Sequence, residues 1–149
     1  MAAVRPLLRA ELLPPKSSAR RHLISIADLT REDVERLLAL SRTFARSLER
    51  DVKKLPTLRG RTVVNLFFES STRTSSSFEL AAKRLSADVM SIKSSGSAGD
   101  KGESLKDTLL TIGAYDPDVI VIRHAHIGAP HLAARFSPGH VVNAGDGKH

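Results

Sequence analysis

The sequence predicts an α/β fold of three layers, in which a parallel sheet of about four strands is flanked by helices. Short segments rich in Val, Ile, Leu and Phe alternate with longer segments whose apolar residues recur at helical spacing. The connections between these segments are short. Because helices cover both faces of a parallel sheet, its strands are apolar along their whole length, and the strands predicted here have that character.

The first helix is predicted to begin after Thr30. Thr30 is a common N-cap residue type, and the acids Glu32 and Asp33 that follow it favour the first turn of a helix. Residues 53–60 are predicted to be a linker, since Pro56 and Gly60 interrupt regular structure. Between these two points one apolar face recurs near helical spacing, comprising Leu29, Val34, Leu37, Leu38, Phe44 and Leu48.

Strands and helices alternate from residue 61 onward. The predicted strands are 62–68, 88–92, 119–123 and 141–143, and the predicted helices are 74–85, 104–114 and 128–136. A loop rich in Ser and Gly, 93–102, separates the second strand from the next helix. Because a helix joins each strand to the next, the strands are expected to run parallel.

Composition excludes several classes of protein and site. A chain of 149 residues is about one domain long, and its 41% hydrophobic and 26% charged content is ordinary for a globular protein. Cysteine is absent, which excludes a disulfide framework, a thiolate zinc site and a cysteine nucleophile. The apolar runs are far too short to cross a bilayer, so no membrane association is predicted.

The formal charge of +7 is concentrated at the amino terminus. Residues 1–22 hold five of the basic residues and one acid, a net charge of +4, which leaves +3 for the rest of the chain. Aromatic residues make up only 4% of the sequence and are not interleaved with the basic ones, so a nucleic-acid stacking surface is not predicted. A modest positive charge suits small anionic substrates, and nucleic-acid binding is an alternative favoured by net charge alone.

Residues 1–21 are predicted to be a basic, disordered N-terminal extension. Their arginine-rich, nearly acid-free composition is also typical of an organelle transit peptide. Pro6, Pro14 and Pro15 would interrupt the amphipathic helix that such a peptide needs, so a cytoplasmic location is expected instead.

The stretch 70–77 carries the strongest functional signal in the sequence. It follows the first predicted strand, precedes an amphipathic segment and contains seven hydroxyl-bearing residues around a single arginine, Arg73. A strand-to-helix turn of this kind collects free backbone N–H groups, hydroxyl donors and a guanidinium, which together bind phosphate or carboxylate groups. The alternative is a helix N-terminus capped by serine or threonine, but one cap requires only one such residue.

Four polar segments are each predicted at the carboxyl end of a strand. In a parallel sheet these ends share one edge, where open α/β folds bind their ligands. The segments are Ser71 to Thr74, the loop 94–101, Arg123 with His124, and 145–147. Their convergence predicts one binding site built from distant parts of the sequence.

Two of these segments have open interpretations. Arg123 ends an apolar strand, where a charge is costly unless it is paired or functional, although the strand could simply end in solvent. The loop 94–103 is either a surface loop or a mobile loop that delivers Ser97 and Lys101 to a ligand. No metal site is predicted, since the histidines lack ligand spacing and solvated or capping roles suit most of them: His124, His126, His131, His140 and His149.

Several motifs resemble those of the aspartate/ornithine transcarbamylase family. NLFFE at 65–69, STRT at 71–74 and SFE at 77–79 resemble its carbamoyl-phosphate motif. GESLKDT at 102–108, IRH at 122–124 and NAGDG at 143–147 are similar to the aspartate branch in particular. The ornithine branch shares the STRT element, typically has Leu-Thr-Asp in place of 145–147, and lacks the lysine-bearing loop. Similarity extends from about residue 22 to the last residue.

The resemblance implies transfer of the carbamoyl group from carbamoyl phosphate to the amino group of L-aspartate, in pyrimidine biosynthesis. It implies that Ser71, Thr72, Arg73 and Thr74 hold the phosphate and that Arg123 binds the carbamoyl oxygen. Ser97 and Lys101 would enter the site of a neighbouring subunit in a homotrimer. The implied catalytic residues are therefore Arg73, Arg123 and Lys101, with no metal and no organic cofactor.

Three departures from the family pattern qualify these implications. Ser75 stands where the family usually has a second arginine, a change expected to alter local packing more than phosphate binding. Asp100 stands where some members have lysine, and the sequence ends before an expected His-Pro-Thr-Gln segment. Residues 22–149 are accordingly expected to form a carbamoyl-phosphate-binding domain without the aspartate-binding domain, and the alternative is a non-catalytic module that binds small phosphates.

Overall fold

The computed structural model of the protein describes residues 22–93 and 104–147. The predicted extension 1–21 and the loop residues Ser97, Asp100 and Lys101 lie outside the described residues. The α-helices of the described residues, in chain order, are α1 (Arg31–Ser47), α2 (Thr72–Arg84), α3 (Leu105–Gly113) and α4 (Ala129–Phe136). The strands are β1 (Thr62–Phe67), β2 (Asp88–Lys93), β3 (Val119–His124) and β4 (His140–Asp146).

The strands form one parallel sheet in the order β2-β1-β3-β4. One face of the sheet packs Val64, Leu66 and Ile120 against residues of α3 and α4, including Leu109 and Ala133. The opposite face packs Val63, Phe67 and Val121 against Ala82 of α2. The predicted three-layer α/β fold with a parallel four-stranded sheet is therefore confirmed.

Element boundaries differ from the predicted ones mainly at the carboxyl ends of the strands. β1 ends at Phe67 rather than Phe68, although the Phe68 N–H still donates to the Arg123 carbonyl at 2.9 Å. β4 continues to Asp146, three residues beyond its predicted end, through an Ala-Gly pair of low strand propensity. A register shift between Ile122 and His124 absorbs the irregular geometry of that pair.

Helix α2 begins at Thr72, two residues earlier than predicted. The Ser75 N–H donates to the Ser71 carbonyl at 3.0 Å, which closes the first turn around residues 72–74. Threonine is a weak helix former because it is β-branched, and this backbone hydrogen bond includes Thr72 in the helix despite that preference.

The predicted start of α1 is confirmed, but its apolar face is not buried. Thr30 and Asp33 form a reciprocal capping box, with the Asp33 N–H donating to Thr30 Oγ1 at 3.1 Å and the Thr30 N–H to Asp33 Oδ2 at 2.9 Å. Within the described residues α1 has no buried side chain, and Leu37 and Leu38 are exposed. None of the described helices is long and apolar enough to cross a membrane.

Candidate functional site

The described polar segments converge on the carboxyl edge of the sheet as predicted. Ser71 to Thr74 follow β1 and form the N-cap and first turn of α2. Arg123 and His124 are the last two residues of β3. The prediction that 145–147 follow the last strand is wrong in detail, because Gly145 and Asp146 are hydrogen-bonded members of β4 and only Gly147 lies beyond it.

The first turn of α2 keeps its backbone N–H groups free of a side-chain cap. Ser71 makes no capping hydrogen bond within the described residues, and the turn contains no acidic side chain. By contrast, Thr30 caps α1 and Ser104 caps α3 through hydroxyl groups. Capping therefore does not account for the hydroxyl-rich turn, whose exposed N–H groups and helix dipole favour an anion.

Arg73 lies in this turn and is exposed. Its guanidinium has no hydrogen-bond or ion-pair partner among residues 22–93 and 104–147. Thr72 is exposed and Thr74 is half-buried beside it. The turn thus places the N–H donors of a guanidinium next to the free backbone N–H groups of a helix N-terminus. Both kinds of donor bind phosphate oxygens.

Arg123 is partly buried and held from two sides. Its Nη1 donates to the Ala144 carbonyl at 2.9 Å, and its Nε lies 3.3 Å from Glu69 Oε2. The second contact is an ion pair without hydrogen-bond alignment, so the buried Nε–H has no hydrogen-bond acceptor in the described structure. Of the two interpretations of Arg123, the paired charge is therefore the observed one.

Arg123 points to the same side of the sheet as α2. Phe67 and Val121 pack on the α2 face, and side chains two residues apart on a strand share a face. Arg123 follows Val121 by two residues and is the register partner of Phe67. The two arginines that the sequence singled out therefore lie at one edge and on one face of the sheet.

Gly145 allows this placement of Arg123. Its φ is +131°, and a Cβ at this position would lie 2.6 Å from Arg123 Nη1. Only glycine adopts such a backbone conformation readily while leaving room for the guanidinium. Gly145 therefore acts on the site through Arg123.

Asn143 and Asp146 hold the end of β4 in shape. The buried Asp146 carboxylate accepts the Gly128 N–H at 3.0 Å and Asn143 Nδ2 at 3.3 Å. Asn143 Oδ1 accepts the Gly145 N–H at 2.8 Å. The sequence pattern placed 145–147 at the binding edge but predicted neither these hydrogen bonds nor the ion pair of Glu69 with Arg123. Local spacing and residue type do not reveal a partner on another strand.

His124 is half-buried beside Arg123. Its ring centroid lies 4.7 Å from that of Phe68 and 5.0 Å from that of His126, with both pairs of rings tilted, and its Nδ1 accepts the His126 N–H at 2.9 Å. Burial, with a smaller contribution from the charge of His126, lowers the pKa of His124. No group of three or more potential metal ligands occurs in the described parts of the chain.

Comparison with known proteins shows the family. Residues 21–149 match a family model described as the carbamoyl-P binding domain of aspartate/ornithine carbamoyltransferase. The chain therefore belongs to the aspartate/ornithine carbamoyltransferase family.

The chain is 58% identical over 129 residues to the aspartate carbamoyltransferase catalytic subunit of Acidothermus cellulolyticus. It is 60% identical over 132 residues to that of Streptomyces griseus. In both cases the match covers 87% of this chain and 40% of the relative. The chain thus spans 40% of the length of these relatives.

Solved structures agree with this assignment. The fold matches aspartate transcarbamoylase from Trypanosoma cruzi in complex with carbamoyl phosphate, with a TM-score of 0.77 and 37% identity over 91% of this chain and 44% of that one. It also matches the catalytic subunit of M. jannaschii aspartate transcarbamoylase, with a TM-score of 0.77 and 40% identity over 86% of this chain and 42% of that one.

Proposed function

We propose that this chain supplies the carbamoyl-phosphate-binding half of an aspartate carbamoyltransferase site. The observation that carries the proposal is the uncapped first turn of α2, with Arg73 exposed in it and Arg123 on the same face of the sheet. The names of the relatives and the ligand of the Trypanosoma cruzi structure support the choice of carbamoyl phosphate and aspartate as substrates.

In this proposal the first turn of α2 binds the phosphate. The backbone N–H groups of residues 72–74 and the hydroxyls of Ser71, Thr72 and Thr74 donate to its oxygens, and Arg73 adds a bidentate pair. Arg123 donates to the carbamoyl oxygen from its terminal guanidinium N–H groups, since its Nε is buried against Glu69. Glu69 and the Ala144 carbonyl keep its guanidinium in place.

The reaction then requires no protein nucleophile. The neutral amino group of L-aspartate attacks the carbamoyl carbon and forms a C–N bond, and the carbonyl oxygen gains negative charge. Arg123 stabilises that charge, a type of contribution whose removal lowers the rate about 10²- to 10³-fold. The C–O bond to phosphate breaks, and phosphate leaves with the electron pair and takes up the proton that the amine loses.

Ser97 and Lys101 complete the proposed site from a neighbouring subunit. A homotrimer with shared sites, acting in the cytoplasm in pyrimidine biosynthesis, is part of the same proposal. The net charge of +3 outside residues 1–22 supports small anionic substrates.

Calorimetric titration with carbamoyl phosphate tests the binding half of the proposal. We expect Arg73→Ala to weaken binding about 10- to 100-fold, because a charge-assisted hydrogen bond contributes about 1.5–3 kcal/mol. Arg84→Ala is a matched control, since Arg84 is at the opposite end of α2 and is expected to leave affinity unchanged. Equal affinity in Arg73→Ala and the parent would remove Arg73 from the site.

Acceptor assays distinguish the candidate functions. Formation of carbamoyl-aspartate supports the aspartate enzyme, whereas turnover with L-ornithine in place of L-aspartate supports the ornithine branch. For this chain alone we expect binding without turnover, because it spans only 40% of the length of its relatives. Turnover by this chain alone would contradict that expectation, and binding without turnover by an extended chain would favour the small-phosphate-binding module.

A further inference from the structure

The centre of β1 contains an unpaired polar side chain. Asn65 is 1% exposed, and neither its Oδ1 nor its Nδ2 has a hydrogen-bond partner in the part of the chain that the structure describes. A buried carboxamide without partners destabilises a fold, and an apolar residue of the same size would be neutral or favourable. Such groups in native structures are typically connected to function or to an ordered water.

Asn65 lies beneath helix α2. Val63 and Phe67, two residues to either side of it, pack with Ala82 on the α2 face of the sheet. Val64 and Leu66 pack on the opposite face. Because side chains alternate along a strand, the carboxamide of Asn65 is directed toward α2.

Ser75 is the buried polar residue of α2. It is 5% exposed, and Ala82, seven residues later on the same helix face, is the other buried residue of α2. The remaining buried polar residues of the described structure, Ser137 and Asp146, belong to the end of α4 and to β4. Two polar side chains therefore share one otherwise apolar strand–helix interface.

Asn65 and Ser75 lie at the same height along the sheet. The Leu55 N–H donates to the Arg84 carbonyl and the Leu58 N–H to the Leu85 carbonyl, so α2 ends beside the segment that leads into β1. Ser75 lies nine residues before Arg84, about 13 Å along the helix axis. Asn65 lies four residues after Arg61, about 13 Å along the strand, and α2 runs back over the sheet in the opposite direction.

We propose that Asn65 and Ser75 are a positioning pair that holds the first turn of α2 in its phosphate-binding conformation. The Ser75 N–H closes that turn on the Ser71 carbonyl at 3.0 Å. One buried water that hydrogen-bonds both the Asn65 carboxamide and the Ser75 hydroxyl ties the turn to the central strand of the sheet. The inference rests on the proposed function, since it assigns these two residues to the support of the proposed phosphate site.

Asn65→Leu tests the pair, because leucine is of similar size and removes the polar group. We expect its midpoint of urea unfolding to equal or exceed that of the parent, while the Kd for inorganic phosphate and for carbamoyl phosphate rises about two- to tenfold. Ser75→Ala should raise Kd to a similar extent. The Kd of the double variant should be no higher than that of either single variant, since the two residues act together.

Hydrogen exchange gives a second measurement that needs no ligand. In Asn65→Leu we expect faster exchange of the Ser75 amide and unchanged exchange at Phe78 and Ala82 farther along α2. Ser91→Ala is the matched control, because Ser91 pairs in register with Asn65 but is exposed, and its hydroxyl donates to Glu79 of α2, beyond the first turn of that helix.

The outcomes separate this inference from the proposed function. A parent chain that binds neither phosphate nor carbamoyl phosphate would overturn both. If the parent binds and Arg73→Ala weakens binding but Asn65→Leu does not, only the positioning pair is wrong. If Asn65→Leu does not fold, Ser75→Ala becomes the test. Unchanged phosphate affinity and unchanged hydrogen exchange of the amide at position 75 in that variant would overturn the proposed pair.

Discussion

At the scale of single residues, the site depends on one close contact between neighbouring strands. Arg123 of β3 passes over Gly145 of β4 and donates to the Ala144 carbonyl at 2.9 Å. Asn143 and Asp146 hold that part of β4 through hydrogen bonds of their own. The backbone of β4 and the Glu69 carboxylate together therefore hold the arginine in this orientation.

Gly145→Ala should displace Arg123. The added Cβ would lie 2.6 Å from Nη1, and alanine is strained at a φ of +131°. We expect affinity for carbamoyl phosphate to fall at least tenfold, measured by calorimetry. Gly113→Ala is the control, since its Cβ would meet no atom closer than 3.7 Å. Equal affinities in the two variants would show that Gly145 does not position the arginine.

His124 should titrate below its ordinary pKa of 6.5, as followed by NMR of its ring protons, because burial disfavours its charged form. The unfolded chain then binds a proton more readily than the folded chain. The free energy of unfolding should therefore decrease as pH falls from 6.5 toward the folded pKa and level off below it. A titration midpoint at or above 6.5 would contradict this prediction.

His124→Asn isolates that effect. The asparagine carbonyl can accept the His126 N–H in place of Nδ1 but does not titrate. We expect the variant to lose this part of the pH dependence in urea unfolding measured at several pH values. An unchanged pH dependence would assign the effect to another group.

At the scale of elements, two helices with the same type of cap differ in how many side chains they bury in the core. Thr30 caps α1, which has no buried side chain among the described residues, whereas Ser104 caps α3, which buries Leu109 and Ile112. A cap stabilises the whole protein only to the extent that its helix is coupled to the core.

Removing each cap should therefore have different consequences. Ser104→Ala should lower the free energy of unfolding by about 0.5–2 kcal/mol, measured by urea denaturation. Thr30→Ala should instead increase hydrogen exchange in the first turn of α1, with a smaller effect on global unfolding. A global loss from Thr30→Ala equal to that from Ser104→Ala would show that α1 unfolds together with the sheet.

At the scale of the whole molecule, stability comes from two apolar layers on either side of one sheet. β1 lies between β2 and β3 in the sheet and is buried from Val63 to Phe67. Helices α3 and α4 cover one face and α2 covers the other. The edge that carries the proposed phosphate site is therefore built on the strand β1, which is buried from Val63 to Phe67.

Adjacent leucines of α3 test this picture of the core. Leu109 is fully buried, whereas Leu110 is 50% exposed. We expect Leu109→Ala to lower the free energy of unfolding by about 2–5 kcal/mol and Leu110→Ala to change it by less than about 1 kcal/mol. Similar losses in the two variants, measured by urea denaturation, would contradict the burial pattern.

Local sequence pattern was sufficient to predict the alternation of strands and helices, the parallel sheet, the cap at Thr30 and the position of the hydroxyl-rich turn. Each of these features depends on residues within one turn or one strand of each other, and periodicity and capping signals act over that range. The motifs at 65–79 and 143–147 were also sufficient to indicate the family, because they are contiguous in the sequence.

Tertiary packing alone establishes which partners meet across the sheet. The contacts of Arg123 with Glu69 and Ala144, the space left by Gly145, the exposure of α1 and the burial of Asn65 all depend on it. Register, a strand irregularity near Ile122 and the packing of helix on sheet determine these contacts. They could not be predicted because a periodic pattern within one element contains no information about the element that lies beside it.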